Sequence, residues 1–186
     1  MNIMHRRLCR SDKWRRKLEN NILPFALWEI ELGEDVLELG PGPGLTTELL
    51  RKRVPRLTAI EIDPRLARSL SARLAGSNVT VVRGNAAALP FADGSFSGAL
   101  ALTMLHHVPT PELQDRVLGE VFRVLKPGGV FAGVDSLVSL SMRFLHIGDT
   151  LVPLDPATFK RRLEKTGFRD VVAEANRERL RFRARR

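Results

Sequence analysis

One glycine-rich loop constrains the fold of this chain more than any other feature. Residues 36–44 read Val-Leu-Glu-Leu-Gly-Pro-Gly-Pro-Gly, an apolar run that stops at three glycines two positions apart. The apolar residues suit a buried parallel strand, whereas Gly40, Gly42 and Gly44 let the backbone turn sharply and approach a ligand closely. Residues 46–51 then show a helical pattern. The segment therefore predicts a strand, a loop and a helix that hold a nucleoside-bearing cofactor in an open α/β sheet.

The spacing of these glycines discriminates between nucleoside cofactors. A dinucleotide loop follows the pattern G-x-G-x-x-G and neutralises a pyrophosphate with backbone N–H groups. Here the third glycine comes one position early, and Pro41 and Pro43 each remove an N–H group that a phosphate would use. The loop favours an uncharged or zwitterionic group, with a nicotinamide or other nucleotide site and a plain tight turn as the alternatives.

Strands and helices alternate along the rest of the chain. The predicted strands cover residues 36–39, 57–62, 79–82, 96–103, 129–135, 168–174 and 179–183. The predicted helices cover residues 12–31, 46–51 and 111–125, a segment that begins at Pro64, and residues 156–166. This order predicts an α/β fold with one doubly wound sheet, mostly parallel, whose last strand is antiparallel.

Length and composition bound the organisation of the chain. Its 186 residues, 44% of them hydrophobic, suit one domain with its own core and leave no room for a second full domain. We expect residues 1–31 to form an N-terminal helical lid or packing segment, and residues 32–186 to form the cofactor-binding domain. No apolar stretch reaches the ~18 residues that a membrane span needs, and Cys9 has no partner for a disulfide. We expect a cytoplasmic protein without a membrane span, either a monomer or a homodimer, and regard Cys9 as incidental.

The net charge of +9 is concentrated at the two ends of the chain, and six of the last ten residues are arginine. Such ends could contact nucleic acid, an alternative that we do not favour. In residues 179–185 arginines alternate with apolar residues, which indicates a half-buried edge strand with one solvated face.

Five segments together resemble successive motifs of class I S-adenosylmethionine-dependent methyltransferases. They are similar to the small-molecule subgroup that includes the quinone-biosynthesis and sterol-type enzymes. The segments cover residues 36–44, 59–64, 84–96, 105–109 and 125–131. The resemblance extends over nearly the whole domain and implies a Rossmann-like fold with S-adenosyl-L-methionine as cofactor. It also implies methyl transfer to an O, N or C atom of a small, mainly apolar molecule, and we assign no metal site.

The same resemblance implies which residues hold the cofactor. Glu61 ends the second predicted strand, where the family places an acid that accepts hydrogen bonds from both ribose hydroxyls. Asn85 stands where the family usually has Asp, and its side-chain carbonyl could accept from the adenine amino group unless it is an ordinary turn residue. The implied cofactor residues are Glu38, Gly40, Pro41, Gly42, Gly44, Glu61, Ile62, Asn85, Ala86 and Thr103.

The methyl acceptor is expected near two adjacent histidines. His107, and after it His106, follows the fourth predicted strand at the sheet edge where substrates of open α/β folds lie. Either imidazole could act as a general base, or could simply pack beside the cofactor. The mostly apolar residues 136–153 would form the acceptor pocket, or a helix that only packs on the sheet. The implied pocket residues are His107, Met142, Phe144 and His146.

Two other functions stay open at this point. A nucleic-acid methyltransferase of the rRNA type would use the basic termini. However, residues 103–106 lack the Asn/Asp-Pro-Pro-aromatic loop of enzymes that methylate base amines, and Cys9 is the only cysteine for a pyrimidine C5 mechanism. A non-catalytic module that binds S-adenosylmethionine is the other alternative, because Asn85 and the Ser97-Gly98 pair depart from the family pattern.

Overall fold

The computed structural model describes Leu8 and residues 11–186, so that Cys9 and part of the basic start of the chain lie outside the described residues. The strands are β1 (Asp35–Leu39), β2 (Arg56–Glu61), β3 (Val79–Arg83), β4 (Phe96–Leu102), β5 (Leu125–Ser136), β6 (Arg169–Ala175) and β7 (Arg179–Arg185). In the described part they form one seven-stranded sheet in the order β3-β2-β1-β4-β5-β7-β6. The strand order reverses between β1 and β4, which places a ligand crevice at their carboxyl ends.

The helices are α1 (Asp12–Lys17), α2 (Leu23–Ala26), α3 (Leu45–Leu50), α4 (Pro64–Arg73), α5 (Pro111–Val124), α6 (Leu140–Leu145) and α7 (Pro156–Thr166). A π-helical turn joins α1 to α2, and a 3-10 turn, Leu105–His107, follows β4. Three helices start at a side-chain cap followed by proline, with Asp63, Thr110 and Asp155 as the caps. These local signals explain why most predicted bounds agree with the structure within two residues.

Two predicted bounds differ more. The N-terminal helical segment was predicted to reach residue 31, but α2 ends at Ala26, and Glu29 adopts a positive φ of 53° that a right-handed helix does not tolerate. Strand β5 begins at Leu125 instead of Gly129, because Leu125 pairs with Phe96 before an irregularity in the ladder. Among the described residues, no helix combines the length and the apolar character that crossing a bilayer would require.

The predicted sheet is confirmed, but the place predicted for its last strand is wrong. Strands β1 to β5 pair in parallel, whereas β7 is antiparallel to both β5 and β6. We expected residues 179–185 to form an edge strand, yet β7 lies between β5 and β6. Its apolar residues Leu180, Phe182 and Ala184 are buried at 2% exposure or less. An interior strand covered on one face has the same alternating pattern as a half-buried edge strand.

The arginines of β7 are engaged within the protein. Arg181 pairs with Glu174 at 2.5 Å, and its guanidinium carbon lies 4.7 Å from the ring centre of Phe25 and 4.8 Å from that of Trp28. Arg186 donates to two backbone carbonyl oxygens where α5 meets β5. Part of the positive charge of β7 is therefore engaged in an ion pair and in stacking on aromatic rings. The sequence alone would place this charge on a solvated face of the strand.

The described part of the N-terminal segment packs on one face of the sheet. Leu18, Ile22, Leu23 and Ala26 are buried in the same cluster as apolar residues of β1, β4 and β5. Helices α5 and α7 cover the opposite face. Residues 11–26 thus contribute to the core of the domain, and the assignment of residues 1–31 as a lid or packing segment stays a prediction.

Candidate active site

A cavity of about 880 Å³ opens at the carboxyl ends of the central strands. This volume lies within the range of roughly 300 to 1,000 Å³ that is usual for small-molecule sites. Eight of the ten residues predicted to hold the cofactor line it, namely Gly40, Pro41, Gly42, Glu61, Ile62, Asn85, Ala86 and Thr103. The same cavity is lined by His106, His107 and His146. It therefore has a glycine-loop end and a histidine end.

Backbone conformation fixes the glycine-loop end. Gly40, Gly42 and Gly44 have φ angles of 60°, 56° and 89°, in the left-handed region that favours glycine. The N–H of Gly40 donates to the Ile60 carbonyl oxygen at 2.9 Å, and the N–H of Gly42 donates to Glu61 Oε2 at 2.9 Å. The loop is thus held in one shape by the residues at the end of β2.

Glu61 stands between the loop and the cavity. Its side chain is 5% exposed, and its second carboxylate oxygen, Oε1, accepts from the Asp63 N–H at 2.9 Å. Each carboxylate oxygen has further lone-pair capacity, so that Glu61 can also accept hydrogen bonds from ligand hydroxyls. The next residue, Ile62, is apolar yet 66% exposed, and it lines the cavity. An exposed aliphatic side chain at this position provides a surface against which a flat ring could lie.

Two residues predicted to bind the cofactor, Glu38 and Gly44, do not line the cavity. Gly44 precedes α3, and a Cβ atom there would overlap Leu70 Cδ1 of α4. Glu38 is 1% exposed and accepts a hydrogen bond from Thr46 Oγ1 through Oε1. Burial raises the pKa of Glu38 to about 7. Close packing and burial thus place both residues behind the loop, and a direct role for them in cofactor binding stays a prediction.

Asn85 forms the local turn that the sequence left open as an alternative. Its Oδ1 accepts from the Ala87 N–H at 2.9 Å, and its backbone carbonyl accepts from the Ala88 N–H at 3.0 Å. This is an Asx-type turn. Further lone-pair capacity remains on Oδ1, so a contact with an adenine amino group stays a prediction.

At the histidine end, the structure brings together three histidines from two separate segments. His106 and His107 lie in the 3-10 turn after β4, and His146 directly follows α6. The ring centres are 4.2 Å apart for His106 and His107, 5.1 Å for His106 and His146, and 5.0 Å for His107 and His146. One ring nitrogen of each histidine lies within 4.8 Å of one ring nitrogen of the others. The sequence suggested each residue separately, and the cluster itself was not predicted.

Hydrogen bonds set the tautomers of two of these rings. His106 Nδ1 is bonded to Asp135 Oδ1, and the backbone N–H of His106 donates to Asp135 Oδ2 at 3.2 Å. His146 Nδ1 lies 2.7 Å from the carbonyl oxygen of Met142. Because these oxygens accept, Nδ1 is the donor in both rings, and in the neutral imidazole the lone pair is on Nε2. His106 and His146 are 3% and 5% exposed, so their orientations are fixed by the surrounding protein.

Sequence reasoning missed Asp135. It is 1% exposed, lies near the carboxyl end of β5, and holds both the backbone and the ring of His106. A signal was present in the sequence, because an acid near the carboxyl end of a parallel strand occupies the same kind of position as Glu61 on β2. The contact of Asp135 with His106 could not be predicted from this signal, because it depends on β4 and β5 being neighbours in the sheet.

Helix α6 forms part of the cavity wall, but not all of its predicted residues line the cavity. Met142 is 6% exposed and lines the cavity together with His146. Phe144 is 66% exposed and does not line the cavity, so that its predicted contact with the acceptor stays a prediction that the structure does not support. Residues two positions apart point to opposite sides of a helix, whereas residues four apart share a face.

A family model described as a methyltransferase domain matches residues 37–133 of the chain. This segment runs from β1 through β5 and contains the glycine loop, Glu61, Asn85 and the two adjacent histidines. The matched residues therefore include most of the cavity wall and exclude His146.

Curated proteins and solved structures that are called methyltransferases are similar to the chain. An uncharacterised methyltransferase of Mycobacterium sp. strain JLS is 37% identical over 98 residues, which cover 53% of this chain and 37% of that protein. A 24-methylenesterol C-methyltransferase 2 of Oryza sativa subsp. japonica is 37% identical over 115 residues, which cover 59% of this chain and 31% of that protein. A crystal structure of a SAM-dependent methyltransferase from Aquifex aeolicus matches with a TM-score of 0.70 at 23% identity, over 91% of this chain and 92% of that one. The matches to these two curated relatives thus span about a third of their length.

Proposed function

Because the chain belongs to the S-adenosylmethionine-dependent methyltransferase family, we propose that it transfers a methyl group from S-adenosylmethionine to an O, N or C atom of a small, mainly apolar molecule. The observation that carries this proposal is the single cavity that joins the glycine loop to the three histidines. A methyl donor and its acceptor must lie in line within one enclosure, because alignment supplies much of the acceleration of such a transfer.

The glycine-loop end offers the kinds of group that would bind the cofactor. The carboxylate of Glu61 offers acceptor capacity for vicinal hydroxyls, and Ile62 offers an apolar surface for a ring. Pro41 and Pro43 line the cavity without N–H groups, which suits the zwitterionic amino-acid part of the cofactor better than a phosphate. When bound there, S-adenosylmethionine supplies an electrophilic methyl group on a sulfonium whose leaving group is a neutral thioether.

The histidine end would hold the acceptor. Apolar residues between positions 108 and 117 and between 137 and 145 line the cavity, among them Leu137, Met142 and Leu145. His106 Nε2 is buried without a hydrogen-bond partner among the described residues, and its lone pair suits an acceptor hydroxyl or amine. Asp135 would stabilise the positive charge if His106 took up a proton, as a carboxylate does when it orients a histidine that acts as a general base. Proton removal by His107 or His106 is part of the proposal.

The nucleic-acid alternative loses much of its support. It relied on the basic termini, and at the C-terminus Arg181 and Arg186 contact Glu174, aromatic rings and backbone carbonyls of the same chain. Apolar residues such as Leu137, Met142 and Leu145 line the acceptor pocket proposed above, which suits a small apolar molecule better than a nucleotide in a polymer.

Turnover tests the proposed function directly. The protein is incubated with S-adenosylmethionine and a panel of phenols, hydroquinones, small amines and sterols, with RNA as a separate arm, and release of S-adenosylhomocysteine is measured. We expect turnover with at least one apolar small molecule, and a lower rate for Met142→Ala, which enlarges the pocket. Arg161→Ala, an exposed change that does not touch the cavity, is the matched control. Turnover with RNA alone, or cofactor binding without any turnover, would contradict the proposal.

A further inference from the structure

We propose that His106, His107 and His146 form a binding site for one divalent transition-metal ion of the Zn²⁺ type at the histidine end of the cavity. No metal site was expected from the sequence, and the methyl-transfer reaction proposed above does not require one. The inference depends on the meeting of three imidazoles from two segments, on the way their rings are oriented, and on their place in the cavity wall.

The spacing of the rings is close to that of a three-histidine site. One ring nitrogen of each residue lies within 4.8 Å of those of the other two. Around a tetrahedral Zn²⁺ with Zn–N distances of about 2.0 to 2.1 Å, the nitrogens lie about 3.4 Å apart. Side-chain rotations that move the ring nitrogens by about an ångström would therefore bring all three within bonding distance of one ion. The half-buried ring of His107 is the one with room to move, because His106 and His146 are almost fully buried.

The hydrogen bonds of two rings are those that metal-binding histidines usually have. A ligating imidazole generally donates its second N–H to a carboxylate or to a backbone carbonyl, which fixes the ring and its tautomer. His106 does this with the buried Asp135, and His146 does it with the carbonyl oxygen of Met142. Both contacts place the lone pair on Nε2, and His106 Nε2 is a buried nitrogen with no hydrogen-bond partner among the described residues. A polar atom left in this way is costly unless a ligand satisfies it.

The charge around the cluster suits a dication. Asp135 is bonded to His106, and Asp149 lines the same cavity and interacts electrostatically with His107. These two carboxylates would offset the charge of a divalent ion. Three neutral imidazoles without a cysteine favour Zn²⁺, Co²⁺, Ni²⁺ or Cu²⁺ over Mg²⁺ and Ca²⁺, which prefer oxygen ligands.

Three protein ligands leave the fourth position of a tetrahedral ion open to the cavity, where the proposed function places the methyl acceptor. If that function is correct, the fourth ligand would be a hydroxyl of the acceptor, since coordination lowers the pKa of such a group and makes it nucleophilic near neutral pH. The ion would then replace His107 or His106 as the group that activates the acceptor, because the lone pairs of these rings would be used for coordination. The proton would leave to solvent, and the acceptor O would form a bond to the methyl carbon. The carbon–sulfur bond of the sulfonium would break with its electron pair kept by the departing thioether. The acceptor class is thereby narrowed to alcohols and phenols.

Metal binding is measured on the full chain without an affinity tag, because a polyhistidine tag would itself bind the ion. Co²⁺ is titrated and followed by its visible absorption, and Zn²⁺ is then added in competition. We expect one ion per chain, a tetrahedral Co²⁺ spectrum, and displacement by Zn²⁺. His106→Asn and His146→Asn should each weaken binding at least roughly 100-fold, because Asn can still make the Nδ1-type hydrogen bond but lacks the ligating nitrogen. Thr150→Val changes a lining residue without a ligand nitrogen and should leave the affinity unchanged.

Asp135→Asn separates an orienting role from a ligand role. It should weaken Co²⁺ binding about 10- to 100-fold, less than loss of a histidine, because the carboxylate acts through His106. Addition of phenol to the Co²⁺ protein should change the visible spectrum if the fourth position is open, and an unchanged spectrum would overturn the acceptor part. S-adenosylhomocysteine binding is measured on every variant to confirm that it is folded.

The failures of this inference and of the proposed function can be told apart. Absence of Co²⁺ and Zn²⁺ binding in a protein that binds S-adenosylhomocysteine and methylates an acceptor would overturn the metal site alone. Equal metal affinity of the wild type and the two His→Asn variants would overturn it as well. Loss of cofactor binding with intact metal binding would instead contradict the methyltransferase proposal.

Discussion

The two ends of the cavity are built in different ways. At the glycine-loop end, three positive-φ glycines, a buried carboxylate behind the loop and Glu61 beside it leave the chain little freedom. At the histidine end, functional side chains come from a 3-10 turn and the end of a six-residue helix, whose exposed residues include Phe144. The comparison teaches that the first end is specified by backbone geometry, whereas the second is specified by contacts between side chains of distant segments. Changes to the loop glycines at the first end should mainly affect stability, and changes to the histidines at the second end should mainly affect chemistry.

The largest effect is expected from Gly44→Ala. The residue would be forced into the left-handed region and its Cβ would overlap Leu70, so we expect a loss of about 3 to 4 kcal/mol in the free energy of unfolding. Gly148 at the histidine end is the matched control, because it has a φ of 73° but no atom within 4 Å of an added Cβ. Gly148→Ala should cost about 1 kcal/mol. Urea denaturation of both variants measures the difference, and equal losses would show that the loop is not fixed by packing.

The second effect concerns the pH dependence of stability. Burial raises the pKa of Glu38 to about 7 from the usual 4.5, so the folded protein keeps a proton between pH 4.5 and 7 that the unfolded chain releases. The free energy of unfolding should therefore fall as the pH rises through this window, by about 2 to 3 kcal/mol between pH 5 and 8. Glu38→Gln has no proton to release and should lack this component. Parallel pH profiles of the wild type and Glu38→Gln would contradict it.

The third effect separates ligand binding from folding at the same end. Glu61→Gln keeps the shape of the side chain but loses the charge that two backbone N–H groups and the proposed ribose hydroxyls would share. We expect S-adenosylhomocysteine to bind about 10- to 100-fold more weakly, since hydrogen bonds to a charged group contribute about 1.5 to 3 kcal/mol. Calorimetric titration measures the affinity. Glu164→Gln, an exposed change away from the cavity, should bind like the wild type, and an unaltered Glu61→Gln would remove this residue from the cofactor site.

The smallest effect is expected at the outer face of α6. Phe144→Ala removes a side chain that is 66% exposed and does not line the cavity, so unfolding free energy should change by less than about 0.5 kcal/mol. Met142→Ala, two positions away and 6% exposed, should cost about 2 kcal/mol or more. Thermal and urea denaturation of the pair measure both values. A larger loss for Phe144→Ala would mean that the face of α6 assigned to the pocket is wrong.

Much of the fold could be predicted from local signals. The caps Asp63 and Asp155 with the prolines after them fixed two helix starts, and the glycine loop fixed the turn after β1. The position of β7 could not be predicted in this way, because its alternating pattern reports one buried face and says nothing about which strands lie beside it.

The same limit applies to the candidate site. Gly44 and Glu38 belong to the motif that marks the cofactor loop, yet a motif does not state which of its residues face the ligand. Gly44 packs against Leu70 of α4, Glu38 is buried behind the loop, and neither lines the cavity. Phe144 was predicted from its apolar character, whereas its position on α6 places it on the exposed face.

The sequence by itself determined the open α/β sheet, the glycine loop and the acidic residue after the second strand. These depend on neighbours in the chain, through strand and helix periodicity, caps and the conformational freedom of glycine. Only the tertiary structure decided that His146 meets His106 and His107, that Asp135 orients one of these rings, and that one cavity connects them to the loop. The reason is physical: these contacts join segments about 30 to 100 residues apart, and their distances are set by how strands and helices pack in the sheet.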